Sequence, residues 1–149
     1  MKTTFDFGDG KVPVHRHVNK NRDIGGWVAD SATVESTVYI GENARVSDNA
    51  RVSGNAWVYG NARVYGNAWV YGNARVENTR DYMVLQVFGS RDSSLIVTFK
   101  PELRVTTGCY QYQTLDAFQY AVLKTHGHSD YGKEYIAAIE FIKTIASTR

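Results

Sequence analysis

From Val28 onward an aliphatic residue returns every six positions: Val28, Val34, Ile40, Val46, Val52, Val58, Val64, Val70 and Val76, nine occurrences without a slip. Four residues after each comes a second small apolar residue: Ala32, Val38, Ala44, Ala50, Ala56, Ala62, Ala68 and Ala74, and the ninth place holds Arg80. A period of six is neither helical nor simple strand alternation. Valine between larger neighbours suits a very short strand that points one residue in and its neighbours out. The Gly-Asn or Asp-Asn pairs that follow, as in Val58-Tyr59-Gly60-Asn61-Ala62-Arg63, suit tight corners, because both types tolerate positive φ. Short strand plus corner, repeated, predicts a polygonal β-coil.

This pattern resembles the hexapeptide repeat of left-handed β-helices, in which three hexads make one coil. The resemblance implies a left-handed parallel β-helix of about three coils from the nine hexads over residues 27–78. Such a stack is about 14 Å tall at about 4.8 Å per strand. Its Val/Ala core is thin and both its ends are open strand edges, which invite pairing with other chains. Caps at the ends and packing of the flat faces against other subunits are therefore expected, a homotrimer first among the assemblies.

On a coil of that kind residues 18 apart stack. Arg45 and Ser47 lie beneath Arg63 and Tyr65, Arg51 and Ser53 beneath Trp69 and Tyr71, and Trp57 and Tyr59 beneath Arg75 and Glu77. Arg51 under Trp69 and Trp57 under Arg75 are placed for cation–π contact. Two uses fit these ladders: stabilisation of the stack and its oligomer interface, or a cleft between subunits that holds a planar anion, with aromatic faces for a base and Arg for phosphate.

Residues 1–26 read as an extended N-terminal cap. His15 and His17 would share one face of a strand and could in principle hold a metal, but no further Cys or His lies nearby, and structural or interface histidines are expected. Residues 79–149 read as a small β-β-β-α-α domain covering the C-terminal edge of the stack. Its strands are expected at Tyr82–Phe88, Leu95–Phe99 and Leu103–Thr107, the last two separated by the turn Lys100-Pro101-Glu102. A first helix is capped by Thr114 and ended by Gly127, and a second opens at Asp130 with a stripe of Tyr135, Ala138, Ile139, Ile142 and Ala146.

Composition narrows the function classes. The 149 residues carry 17 basic and 15 acidic side chains, a balance of +2 with no electrostatic footprint for nucleic acid. No apolar run approaches the roughly 20 residues of a membrane span, and the N-terminus lacks a signal-peptide core. A single cysteine, Cys109, excludes an intrachain disulfide and points to a reducing compartment, the cytoplasm.

The whole chain resembles a phage and prophage family of hexapeptide-repeat proteins. The resemblance rests on Asp6-Phe7-Gly8-Asp9-Gly10, His15-Arg16-His17-Val18-Asn19 and Gly25-Gly26-Trp27-Val28-Ala29, then the repeats. It continues through Gly89-Ser90-Arg91, Gly108-Cys109, Thr114-Leu115-Asp116, His126-Gly127 and Glu134-Tyr135. That family tends to carry a short Gly-Thr turn after the cysteine, where this chain has Tyr110-Gln111-Tyr112-Gln113.

An acyltransferase is one expectation from the fold resemblance, since many left-handed β-helices are such enzymes and use a general-base His at a subunit cleft. Residues 27–81 contain no histidine, and no long loop interrupts the hexads. Cys109 with His126 or His128 remains a formal nucleophile–base pair. The expectation carried forward is a non-catalytic oligomer, without metal or cofactor, that sequesters a small anionic nucleotide-like ligand, as compact phage proteins do with nucleotide-derived immune signals. Its candidate binding residues are Trp57, Tyr59, Tyr65, Trp69, Tyr71, Arg51, Arg63, Arg75, Ser90 and Arg91, with Ser90-Arg91 an anion-binding turn at a strand end. A structural, virion-accessory trimerisation module is the alternative.

Overall fold

A computed structural model describes residues 3–88, 93–107 and 110–149. The fold is mainly β and closes with two helices. The repeat forms three stacks of parallel strands. The first joins β3 (Ile24–Ala29), β6 (Arg45–Val46) and β9 (Arg63–Val64). The second joins β4 (Thr33–Val34), β7 (Arg51–Val52) and β10 (Trp69–Val70). The third joins β5 (Tyr39–Ile40), β8 (Trp57–Val58) and β11 (Arg75–Val76). Register partners are 18 residues apart, as Arg45 beside Arg63, Arg51 beside Trp69 and Trp57 beside Arg75.

The hexad explains each turn of the chain. Its valine and its alanine both point inward, and from Val46 to Val76 every one of them is fully buried. Between them the chain must bend sharply, and residues 48, 54, 60, 66 and 72 do so at φ of 57° to 70°. That conformation costs an L side chain about 1–2 kcal/mol and glycine almost nothing. Glycine fills four of the five places; at the fifth, the Asp48 carboxylate accepts the backbone N–H of Gly66 at 2.8 Å.

Residues before the repeat cover its lower edge. β1 (Thr4–Asp6) and β2 (Lys11–Val18) form an antiparallel hairpin, and β2 pairs with β3, so the first stack becomes a five-stranded sheet. Two buried side chains then stand in for a strand below β5. His17 Nε2 lies 2.7 Å from the Val38 carbonyl, and the Asn19 amide bonds both the N–H and the C=O of Ile40.

The C-terminal unit departs from the expected β-β-β-α-α order: its sheet has four strands. β12 (Tyr82–Phe88), β13 (Ser93–Thr98), β14 (Arg104–Thr107) and β15 (Tyr110–Gln113) pair antiparallel in chain order. Thr107 and Tyr110 are register partners, and Tyr110-Gln111-Tyr112-Gln113 pairs antiparallel with β14. α1 (Leu115–His126) begins at the Thr114 cap, whose hydroxyl accepts the Ala117 N–H at 3.1 Å. α2 (Asp130–Ala146) opens at Asp130 as expected and is capped by Ser129, whose hydroxyl accepts the Gly132 N–H at 3.3 Å. Leu95, Val97 and Val105 from the sheet pack with Leu115, Phe118, Val122, Tyr135, Ile139 and Ile142 from the helices.

The two cores meet at the upper edge of the repeat. Tyr82 joins the solenoid core, with Val84 and Tyr112 packed against it. The N–H of Arg75 donates to the Lys100 carbonyl at 2.8 Å, and Tyr82 Oη donates to the Arg63 carbonyl at 2.9 Å and accepts the Tyr65 N–H at 3.3 Å. The buried Asp81 carboxylate accepts the N–H groups of Glu77 and Asn78 and lies 3.3 Å from Lys100 Nζ.

Candidate functional site

The ten residues singled out from sequence do not converge within one chain. Trp57, Tyr59 and Arg75 lie on the third stack, Arg51, Trp69 and Tyr71 on the second, and Arg63 and Tyr65 on the first. Ser90 and Arg91 lie outside the described residues, as does Cys109.

On the third stack the rings serve each other. Trp57 has Tyr39 from the strand before it, with ring centroids 4.9 Å apart, and the Arg75 guanidinium from the strand after it, 4.7 Å from its ring. Tyr59 meets it edge-on at 6.1 Å. Both neighbours along the stack are thus engaged with the indole, which remains 41% exposed at its rim. On the second stack Arg51 lies 5.7 Å from the Trp69 ring, and Tyr71 packs against Trp69 edge-on.

The first stack is different, because it places two arginines in register. Like charges opposite one another on neighbouring strands repel. Neither guanidinium pairs with a carboxylate among the described residues. Arg45 instead lies over the Phe5 ring at 4.9 Å. Arg63 is held through its main chain, its N–H donating to Thr79 Oγ1 at 3.2 Å and its carbonyl accepting from Tyr82.

These two arginines line a groove of about 450 Å³ with Ser47, Asp48, Tyr65, Thr79 and the loop Phe7-Gly8-Asp9. The loop joins β1 to β2 and is drawn tight by Asp6, whose Oδ1 accepts the N–H groups of Gly8 at 2.7 Å and Gly10 at 3.0 Å. Gly8 and Gly10 take φ of 131° and 107°, which a side chain would resist. Tyr65 is half exposed and packs edge-on against Tyr82.

Sequence reasoning therefore reached Arg63 and Tyr65 but left Arg45, Phe7, Asp9, Asp48 and Thr79 out of the site. The signal for Arg45 was present, since it lies 18 residues before Arg63 on the same face. Phe7 and Asp9 had no periodic signal, because they arrive by the fold-back of a hairpin.

The histidines are engaged elsewhere. His17 is buried against Val38, and His15 Nδ1 lies 2.7 Å from Asp30 Oδ1. The two therefore turn to separate partners, and among the described residues no cluster of His, Cys, Asp and Glu could hold a metal ion. His126 stacks on Tyr135 with centroids 5.5 Å apart. His128 lines a mostly apolar groove between the helices with Leu123 and Ile136.

Residues 44–60 and again 56–72 match the family model described as YdcK beta solenoid repeat. This part of the chain is similar to a β-solenoid repeat. The two overlapping matches fall within the strands and corners described above, and the four-stranded unit and its helices lie outside them. No curated protein and no solved structure matched the chain. No described helix is long and apolar enough to cross a membrane.

Proposed function

We propose that this chain is a non-catalytic, self-associating binding protein that holds a small anion between Arg45 and Arg63. On this reading the solenoid is a left-handed, three-coil β-helix of the hexapeptide-repeat type, the assembly is a homotrimer, and the chain acts in the cytoplasm of a phage host. The observation that carries the binding role is the in-register pair of guanidinium groups, neither paired with a carboxylate among the described residues, in a groove bordered by a glycine loop. An arrangement that repels itself when empty gains on receiving a negative charge, and charge-assisted bonds to such a group are the strong ones. A role without turnover draws support from His17, whose Nε2 is taken up by the Val38 carbonyl.

Calorimetric titration with inorganic phosphate and diphosphate tests this. Binding should weaken as salt rises and fall by roughly ten- to a hundredfold in Arg63→Gln. Absence of binding to either anion at low salt overturns the proposal, and light scattering that shows a monomer at micromolar concentration overturns its oligomeric part.

The Tyr39–Trp57–Arg75 ladder favours a second reading, a rigid trimerisation module whose aromatic faces serve only stability and assembly.

A further inference from the structure

The groove at Arg45 and Arg63 does not end at Tyr65. A second depression of about 310 Å³ adjoins it, lined by Tyr65, Gly66, Asn67, Thr79, Tyr82, Met83 and Val84. Tyr65 and Thr79 line both, so the two meet at those side chains. Their chemistry is opposite. The first carries Arg45, Arg63, Asp9 and Asp48; the second carries no charged residue, only a tyrosine pair, two aliphatic or thioether side chains, an amide and a hydroxyl.

Resting on the anion-binding reading above, we propose that the natural ligand is an anion joined to an uncharged flat ring, of the nucleoside monophosphate class. The phosphate lies against the two arginines, and the ring passes Tyr65 into the neutral depression. A bare anion fills half of this surface. A ligand with charge at both ends leaves one charge beside Met83 and Val84, where water is partly excluded and no counter-charge waits. A flat heterocycle suits the second half, because its faces meet Tyr65 and Val84, the β12 side chain on the solenoid side, while its edge meets the Asn67 amide and the Thr79 hydroxyl. The arrangement also spans the junction of the molecule, since Thr79, Met83 and Val84 follow the repeat and Arg45 and Arg63 belong to it.

The test compares inorganic phosphate, ribose 5-phosphate and adenosine 5′-monophosphate by calorimetry on the intact protein. The nucleotide should bind about tenfold or more tightly than ribose 5-phosphate, the gain expected from one stacked ring. Asn67→Ala, at an exposed corner, and Val84→Ala, neither of which adds a charge, should each reduce that gain. Equal affinity for the nucleotide and ribose 5-phosphate, or a nucleotide advantage untouched by both substitutions, overturns the two-part ligand and leaves the anion site standing. Failure of all three compounds to bind overturns both.

Discussion

The side-chain amide of Asn19 pairs with the main chain of Ile40 as a neighbouring strand would. Its Nδ2 donates to the Ile40 carbonyl at 2.9 Å and its Oδ1 accepts the Ile40 N–H at 2.9 Å. Both residues are buried. One amide thereby closes part of a strand edge that would otherwise offer itself to another chain. Asn19→Ala leaves a buried donor and acceptor of the backbone unsatisfied, at about 1–3 kcal/mol. Denaturant unfolding should show a lower midpoint, and Asn19→Asp should not rescue it at neutral pH, because a carboxylate cannot donate to the carbonyl. A midpoint equal to wild type in both variants refutes the capping role.

The glycines at the corners differ in what they face. Gly66 and Gly72 both take φ of 65°, so alanine at either costs about 1–2 kcal/mol from backbone strain alone. A Cβ on Gly66 meets nothing within 4 Å, whereas one on Gly72 comes within 2.5 Å of the Tyr112 ring. Gly72→Ala should therefore lower the melting temperature more than Gly66→Ala. Adding Tyr112→Ala should recover part of the difference, giving a non-zero coupling in a double-mutant cycle.

Burial raises the Tyr82 phenol well above the ordinary tyrosine range. The unfolded phenol titrates near about 10. Between that value and the folded one, the native state keeps a proton that the unfolded state loses, so stability falls as pH rises. The contribution is fully present below about pH 10, and above it stability should drop by up to about 1.4 kcal/mol per pH unit. Thermal melts from pH 8 to 11 should show this decline, and Tyr82→Phe should flatten it while starting from a lower melting temperature, having lost the bonds to Arg63 and Tyr65.

Trp57 and Arg63 should separate stability from binding. Trp57→Ala removes two aromatic pairs and a cation–π contact, together roughly 1.5–4 kcal/mol, and should leave phosphate affinity unchanged. Arg63→Gln removes one charge-assisted partner worth about 1.5–3 kcal/mol, which corresponds to an affinity loss of roughly ten- to a hundredfold, with little change in melting temperature. The reverse pattern would place the ligand on the third stack.

The amino-acid sequence by itself determined the repeat. A valine and an alanine at each hexad can only be buried together if the chain bends between them, and the Gly-Asn pairs permit that bend locally. The 18-residue stacking partners and the Thr114 and Gly127 helix ends follow from equally local rules. Tertiary structure alone decided how the stack is closed and where its groove lies. Asn19 reaches Ile40, Tyr82 reaches Arg63, and the Tyr112 ring covers Gly72; each is a single contact between residues far apart in the chain, with no period to announce it. The same holds for the loop Phe7-Gly8-Asp9, which borders Arg45 and Arg63 only because β2 folds back along β3. Periodic burial is written into every hexad, whereas an edge is covered once, by whichever side chain the fold brings over it.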